Sequence, residues 1–504
     1  MRLFTITAVF AIILVAALGE APDGFPPSGA GMVLRLEDDV FEAARSGEGP
    51  DTAVAFSPDE SIIAVATYGG GLVLFDTQHG RQIWKHHIAE GLIRCLAFSP
   101  DGAILYAGEL SPDGSLYAID TATRSILWSY RTADDLGTAP LPAQRNRFSI
   151  YGLPGVYHVQ SWGPDRVVFS AFHSTFARDG RPQQHAYLYC MSQSGRLIWK
   201  YPGSSPLPRN IMHFTISPGA QGAVVGLSSA GAAAASGSPA VLLGIGLESG
   251  RPVWQADVPP FSPWFSSVFF WRSTDVSPSG ATTAASTNDG RLFVLNTAGG
   301  WKNTPADQPL TSQTLVLVQP MRAGDVYLSA LAGYCRTWDD LILVESQQTI
   351  APAGAVIQSD SPPLPHPQAN RVFGLTKNET GAWTLRWTWK GDGVLNGLSA
   401  DAKGRRALII QNGGAARAGR NDWTGSGSVV VEIRDDSGTP LAAPRELMRR
   451  SVAGELYFNS TISPSGMLLA LIETPHWVKS TDTIVGQYQV HLIPLAPARV
   501  PKHP

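Results

Sequence analysis

Cys95, Cys190 and Cys335 are the only thiols in a chain of 504 residues. None stands in a CxxC or a CxxCH, so zinc-ribbon, thioredoxin-like and c-type haem chemistry are not encoded. An odd count leaves at least one thiol unpaired, and a small buried hydrophobe is the expected role. The eleven histidines are scattered. His86 and His87 adjoin, but neighbours on a strand point to opposite faces and cannot hold one metal as a pair. His158, His173 and His185 fall close together at a spacing that fits no metal motif. There is no HExxH, no EF-hand loop and no G-x-S-x-G elbow. Asp113-Gly114 and Asp289-Gly290 read as hairpin turns, and Asn378-Glu379-Thr380 and Asn459-Ser460-Thr461 are glycosylation sequons, meaningful only in a eukaryotic source. No catalytic, cofactor-binding or metal-binding residue is expected.

The chemistry that does concentrate is aromatic. Residues 259–271, PPFSPWFSSVFFW, hold Phe261, Trp264, Phe265, Phe269, Phe270 and Trp271. Clustered aromatics are usually core. The sharper expectation is that the proline-flanked part, Phe261, Trp264 and Phe265, projects as a partner-binding patch, because exposed Trp and Phe groups anchor interfaces.

The elements that must carry these residues are short strands. Residues 54–88 give an apolar strand, a Ser57-Pro58-Asp59 turn, a second strand, and a glycine turn at Gly69-Gly70-Gly71. A third strand, a turn at His79-Gly80 and a fourth strand on Trp84 complete the unit. Residues 93–130 say it again. The turn marker recurs at Ser99-Pro100, Ser217-Pro218, Ser277-Pro278 and Ser463-Pro464, with weaker forms at Gly163-Pro164-Asp165 and Ser399-Ala400-Asp401. Proline presets φ for such turns and Ser or Asp caps them. A second marker, an apolar strand closing on tryptophan, gives Trp84, Trp128, Trp199 and Trp254, expected at equivalent, largely buried docking positions. The period suits a propeller blade. From Ser277 to Ser399 the spacing doubles. Eight four-stranded blades follow if a marker is lost there, and seven if the stretch is an insertion; the spacing favours eight. The fold expected is all-β, a single β-propeller.

These repeats resemble the tryptophan-docking repeats of quinoprotein-like propellers, and the SPDG turns are similar to WD40 and YVTN-type repeats. The resemblance spans roughly residues 33–497 and fades after Trp301. Quinoprotein dehydrogenases carry adjacent cysteines beneath their cofactor and a calcium held by carboxylate and amide oxygens. This chain has no Cys-Cys pair, so docking tryptophans without a cofactor is the expected state, and a divergent PQQ-dependent oxidoreductase is the alternative.

Hydrophobic residues make up 44% and charged residues 16% of the chain, a composition for burial rather than disorder. A net charge of −3 without a basic stripe gives no reason to expect nucleic acid. Arg2, an apolar run from Leu3 to Leu18, and small residues after it read as a signal peptide over 1–21, with the propeller at 33–497 and a tail at 498–504. Residues 33–41 are expected to pair with 487–494 and close the ring. The whole reads as an extracytoplasmic (periplasmic or secreted), non-catalytic scaffold with a protein or cell-surface polymer as partner and no transmembrane span after signal removal. A subunit of a larger redox or polysaccharide-handling complex is a third reading.

Overall fold

The computed structural model describes residues 31–36, 40, 52–142, 152–176, 182–229, 239–262, 264–265, 267–301, 310–323, 326–331, 333–352, 366–412, 415–417, 420–478 and 480–495. The segment read as a signal peptide and the C-terminal tail lie outside these residues.

The strands form successive antiparallel meanders. In the first unit Val54–Phe56, Ile62–Ala66, Gly71–Asp76 and Gln82–His87 pair in chain order. Leu92–Phe98 through Ile126–Arg131 and Gly155–Trp162 through Leu197–Tyr201 repeat the order, as do Phe214–Ser217 through Arg251–Val258 and Thr274–Val276 through Ser312–Val316. Cys335–Thr337 through Trp383–Lys390 and Val394–Ala400 through Pro440–Val452 follow. Among the described residues the last unit is completed from the other end of the chain. Met32–Arg35 lies beside Gln489–Pro494, with Val33 opposite His491. The closing strand is four residues long, shorter than the 33–41 stretch expected from sequence. The first strand of each unit packs on the first strand of the next: Leu92–Phe98 touches both Val54–Phe56 and Gly155–Trp162, and Thr274–Val276 touches Cys335–Thr337. The last unit meets the first where Asn459 Nδ2 donates to the Thr52 carbonyl at 2.7 Å. The chain is an all-β propeller.

The Ser-Pro marker is the turn between first and second strands. Ser57 Oγ accepts the Ile62 N–H at 3.0 Å, and Ser99, Ser277 and Ser463 do the same for Ile104, Thr282 and Leu468. Asp401 takes the role in its unit, accepting from Arg406 N at 3.1 Å. The missing marker is Trp338-Asp339-Asp340, a tighter turn closed by Trp338 N to Leu341 O at 2.8 Å, which needs no such hydroxyl.

The tryptophans recur at one register position. Trp84, Trp128, Trp199 and Trp254 each stand just after a bulge in the fourth strand, opposite Leu74, Ala118, Cys190 and Gly244 of the third. Trp387 opposite Gly374 is a fifth. Trp128 Nε1 donates to Gln193 O and Trp199 Nε1 to Leu247 O, both at 2.7 Å, reaching the third-to-fourth-strand turn of the following unit. They are not equally buried. Trp254 and Trp387, which lie over glycine partners, are 4% and 7% exposed, whereas Trp84, Trp128 and Trp199, opposite larger residues, are half-buried. These three are thus less completely buried than Trp254 and Trp387.

Candidate functional site

Antiparallel meanders send first-to-second and third-to-fourth turns to one face of the ring, and all other connections to the opposite face. The first set is tight, apart from the connection that leads from Asn296 to Ser312. The second set carries the long segments: 259–273, the three-stranded sheet of Met321–Ala323, Val326–Ala330 and Gln348–Pro352, and the hairpins Ala415–Arg417 with Arg420–Asp422 and His476–Val478 with Thr483–Val485. Long connections on a rigid scaffold are where binding groups concentrate. This loop face is the candidate site.

Residues 259–273 run across it from the outer strand of one unit to the innermost strand of the next. Phe261 lies under the Arg291 guanidinium, 5.0 Å from its ring centre. Arg291 is fixed by an ion pair with fully buried Asp289 at 2.5 Å and by donation to Pro259 O at 2.6 Å. Asp289, read from sequence as a turn residue, thus also holds the aromatic segment. Trp264 meets the edge of Tyr327 with ring centres 5.2 Å apart. Phe261 and Trp264 are half-buried. Phe265 is 4% exposed, because the turn that returns its N–H to Phe261 O at 3.0 Å tucks it under the segment. Of the three residues expected to project, the structure removes Phe265. Phe270 is core and Trp271 continues to the axis, its ring against Phe458 with centres 6.3 Å apart.

At the axial end of that segment, residues at or just before the innermost strands converge. Arg94 is 3% exposed and sits 5.3 Å from the Phe458 ring; Arg272 sits 4.8 Å from it and 5.9 Å from the Tyr334 ring. Arg272 Nη1 donates to Asn459 Oδ1 at 2.5 Å, so this sequon asparagine is engaged inside the fold. Arg336 donates to the Cys335 carbonyl at 2.9 Å. The His158 and His213 rings meet at a tilt of 38° with centres 4.2 Å apart. Burial first, then the charges of Arg272, Arg336 and Arg94, hold His158 down at about 3. His213 is lowered well below the ordinary range by burial, His158 and the same Arg272 and Arg336. Burial raises Asp275 to about 6 and Glu345 to about 8, although Arg336 pulls the other way on both. At neutral pH the mouth therefore combines neutral imidazoles, a mostly protonated Glu345 and guanidinium charge.

No motif marked this cluster, since Arg94, Arg272 and Arg336 are far apart in sequence. A signal did exist. Thr52, Arg94, His158, Arg272, Asn396 and Phe458 each stand five places before the turn residues Ser57, Ser99, Gly163, Ser277, Asp401 and Ser463. Arg94 and Asn396 are also the extra residues of β-bulges, which re-aim side chains.

Burial pushes the Cys95, Cys190 and Cys335 thiols to about 12, each inside a different unit. Among the described residues no three of His, Cys, Asp and Glu converge to hold a metal. No helix among them is long and apolar enough to cross a membrane.

Residues 37–152 match the family model described as outer membrane protein assembly factor BamB. A mouse (Mus musculus) protein, echinoderm microtubule-associated protein-like 2, is 32% identical over 83 residues, which is 16% of this chain and 13% of that protein's length. Among solved structures, Kuenenia stuttgartiensis hydrazine synthase is similar at 12% identity and TM-score 0.47, over 89% of this chain and 96% of that one. The β-propeller domain of Myceliophteria thermophila Cps50 (Swd1) is similar at 10% identity and TM-score 0.41, over 88% and 96%.

Proposed function

We propose that this chain is an extracytoplasmic, non-catalytic propeller of eight blades whose loop face binds a protein or a surface polymer. The observation that carries the reading is the asymmetry of the two faces. One has tight turns apart from the Asn296-to-Ser312 connection; the other holds most of the long connections, including the half-buried aromatics Phe261 and Trp264 and the cationic axial mouth. The family-model match supports a place in cell-envelope assembly, the context its description names, and the apolar N-terminal segment fits export. Capture from the native extracytoplasmic fraction tests it. Trp264→Ala is expected to leave folding intact and to weaken capture of the same partner. Undiminished capture, or recovery of no partner from that fraction, counts against the reading.

The quinone-linked oxidoreductase remains the alternative, since it shares the docking repeat. Mixing the protein with the quinone and calcium and finding stoichiometric bound-cofactor absorbance would favour it over the scaffold.

A further inference from the structure

We propose that the axial mouth on the loop face binds one compact oxyanion carrying two or more charges, of the phosphate or polycarboxylate class. This rests on reading the loop face as the binding face, and it assigns a ligand chemistry to its centre.

The first ground is the collection of like charges. Arg94 and Arg272, from two units, lie 5.3 and 4.8 Å from the centre of the same Phe458 ring, and the charge of Arg336, from a third, reaches His158 and Tyr334 as theirs does. Bringing like charges together where the dielectric is low is unfavourable unless an anion shares the space. Arg336 donates only to the carbonyl of its own neighbour, which leaves most of its planar fork for a ligand. Of the two carboxyls beside them, Asp275 Oδ2 accepts the Thr337 N–H at 2.6 Å, and Glu345 Oε1 accepts from Gln347 at 2.9 Å while its Oε2 has no partner.

The second ground is independent of charge. The Tyr334 hydroxyl and His213 Nδ1 have no hydrogen-bond partner although those residues are only 2% and 8% exposed. His158 Nε2 is equally unpartnered and buried. Buried polar atoms are rarely left unmet, and each such case asks for a missing partner. Guanidinium and phenol groups offer N–H and O–H donors, and a neutral imidazole offers one more by choice of tautomer. A site rich in donors and charged positively takes oxygen-bearing anions, and Arg forks match their planar or tetrahedral edges. The Phe458 ring beneath Arg94 and Arg272 gives them an apolar floor that orients both. Half-buried Arg272 and Arg336 leave the approach from the loop face.

Calorimetric titration of the whole chain with inorganic phosphate, and separately with citrate, tests the proposal. Saturable one-to-one binding of at least one probe is expected. R336Q should weaken it tenfold or more, and Y334F severalfold, while R196Q, on the exposed tight-turn face, should leave it unchanged. If R336Q fails to fold, Y334F together with the His213 imidazole resonance decides, since a bound anion should shift that resonance and raise the pH at which it titrates. Absence of binding by both probes overturns the proposal, as does equal binding by the parent and R336Q, or an equal loss in R196Q. Binding with undisturbed partner capture in Trp264→Ala would instead retain the anion site and reject the loop-face reading.

Discussion

Glu345 shows how strongly the interior controls single side chains. It is fully buried, one carboxyl oxygen lacks a partner, and burial raises it from 4.5 to about 8. The folded chain therefore keeps a proton that the unfolded chain has lost. Its contribution is fully present below pH 4.5 and is lost as pH rises through 8. Between pH 6.5 and 8 this amounts to about 2 kcal/mol, at roughly 1.4 kcal/mol per pH unit. Urea unfolding at those two pH values should show the parent losing stability and Glu345→Gln nearly flat; equal slopes would reject this environment for Glu345. Tryptophan burial makes a second residue-scale test. Trp254→Ala, which empties a closed site over Gly244, should cost about 3–5 kcal/mol. Trp84→Ala and Trp128→Ala, removing rings that are only partly buried, should cost distinctly less. Equal losses in all three would show that the partner residue opposite each ring does not set its burial.

At the scale of the element, the turn explains both what was legible and what was not. Ser-Pro recurs because its hydroxyl caps the N–H five residues on, a local hydrogen bond that sequence displays directly. The unit that uses Trp338-Asp339-Asp340 closes another way and left no such mark. Ser277→Ala should cost about 1–2 kcal/mol, because the Thr282 N–H it caps is buried; a melting temperature unchanged from the parent would make the cap dispensable. The docking turns are equally specific. A methyl on Gly250 would lie 2.5 Å from the Trp199 ring, in a backbone at φ +66°. The tryptophans and turns were readable because each is a local pattern. The axial mouth was not, because its members come from different units and only the register of the strands brings them together. Phe265 was misplaced for a similar reason: a turn closed by backbone bonds decides which aromatic faces inward, and composition says nothing of that.

Over the whole molecule, the ring is closed by four residues from near one end of the chain. Removing Met32–Arg35 should expose the edge of Gln489–Pro494, lower the melting temperature and promote association of monomers. Monomeric behaviour at parental stability would show that this strand does not close the ring. The central claim is that only one face of that ring binds. All three native cysteines are buried, so introduced ones can be labelled alone. Ser262→Cys lies exposed on the loop face and Asp436→Cys lies exposed in a tight turn on the other. Attaching a polyethylene glycol chain at each, and measuring capture of the native partner, is the most direct test. The loop-face label should abolish capture and the turn-face label should leave it intact; loss from the turn-face label alone, or equal effects from both, would contradict the account.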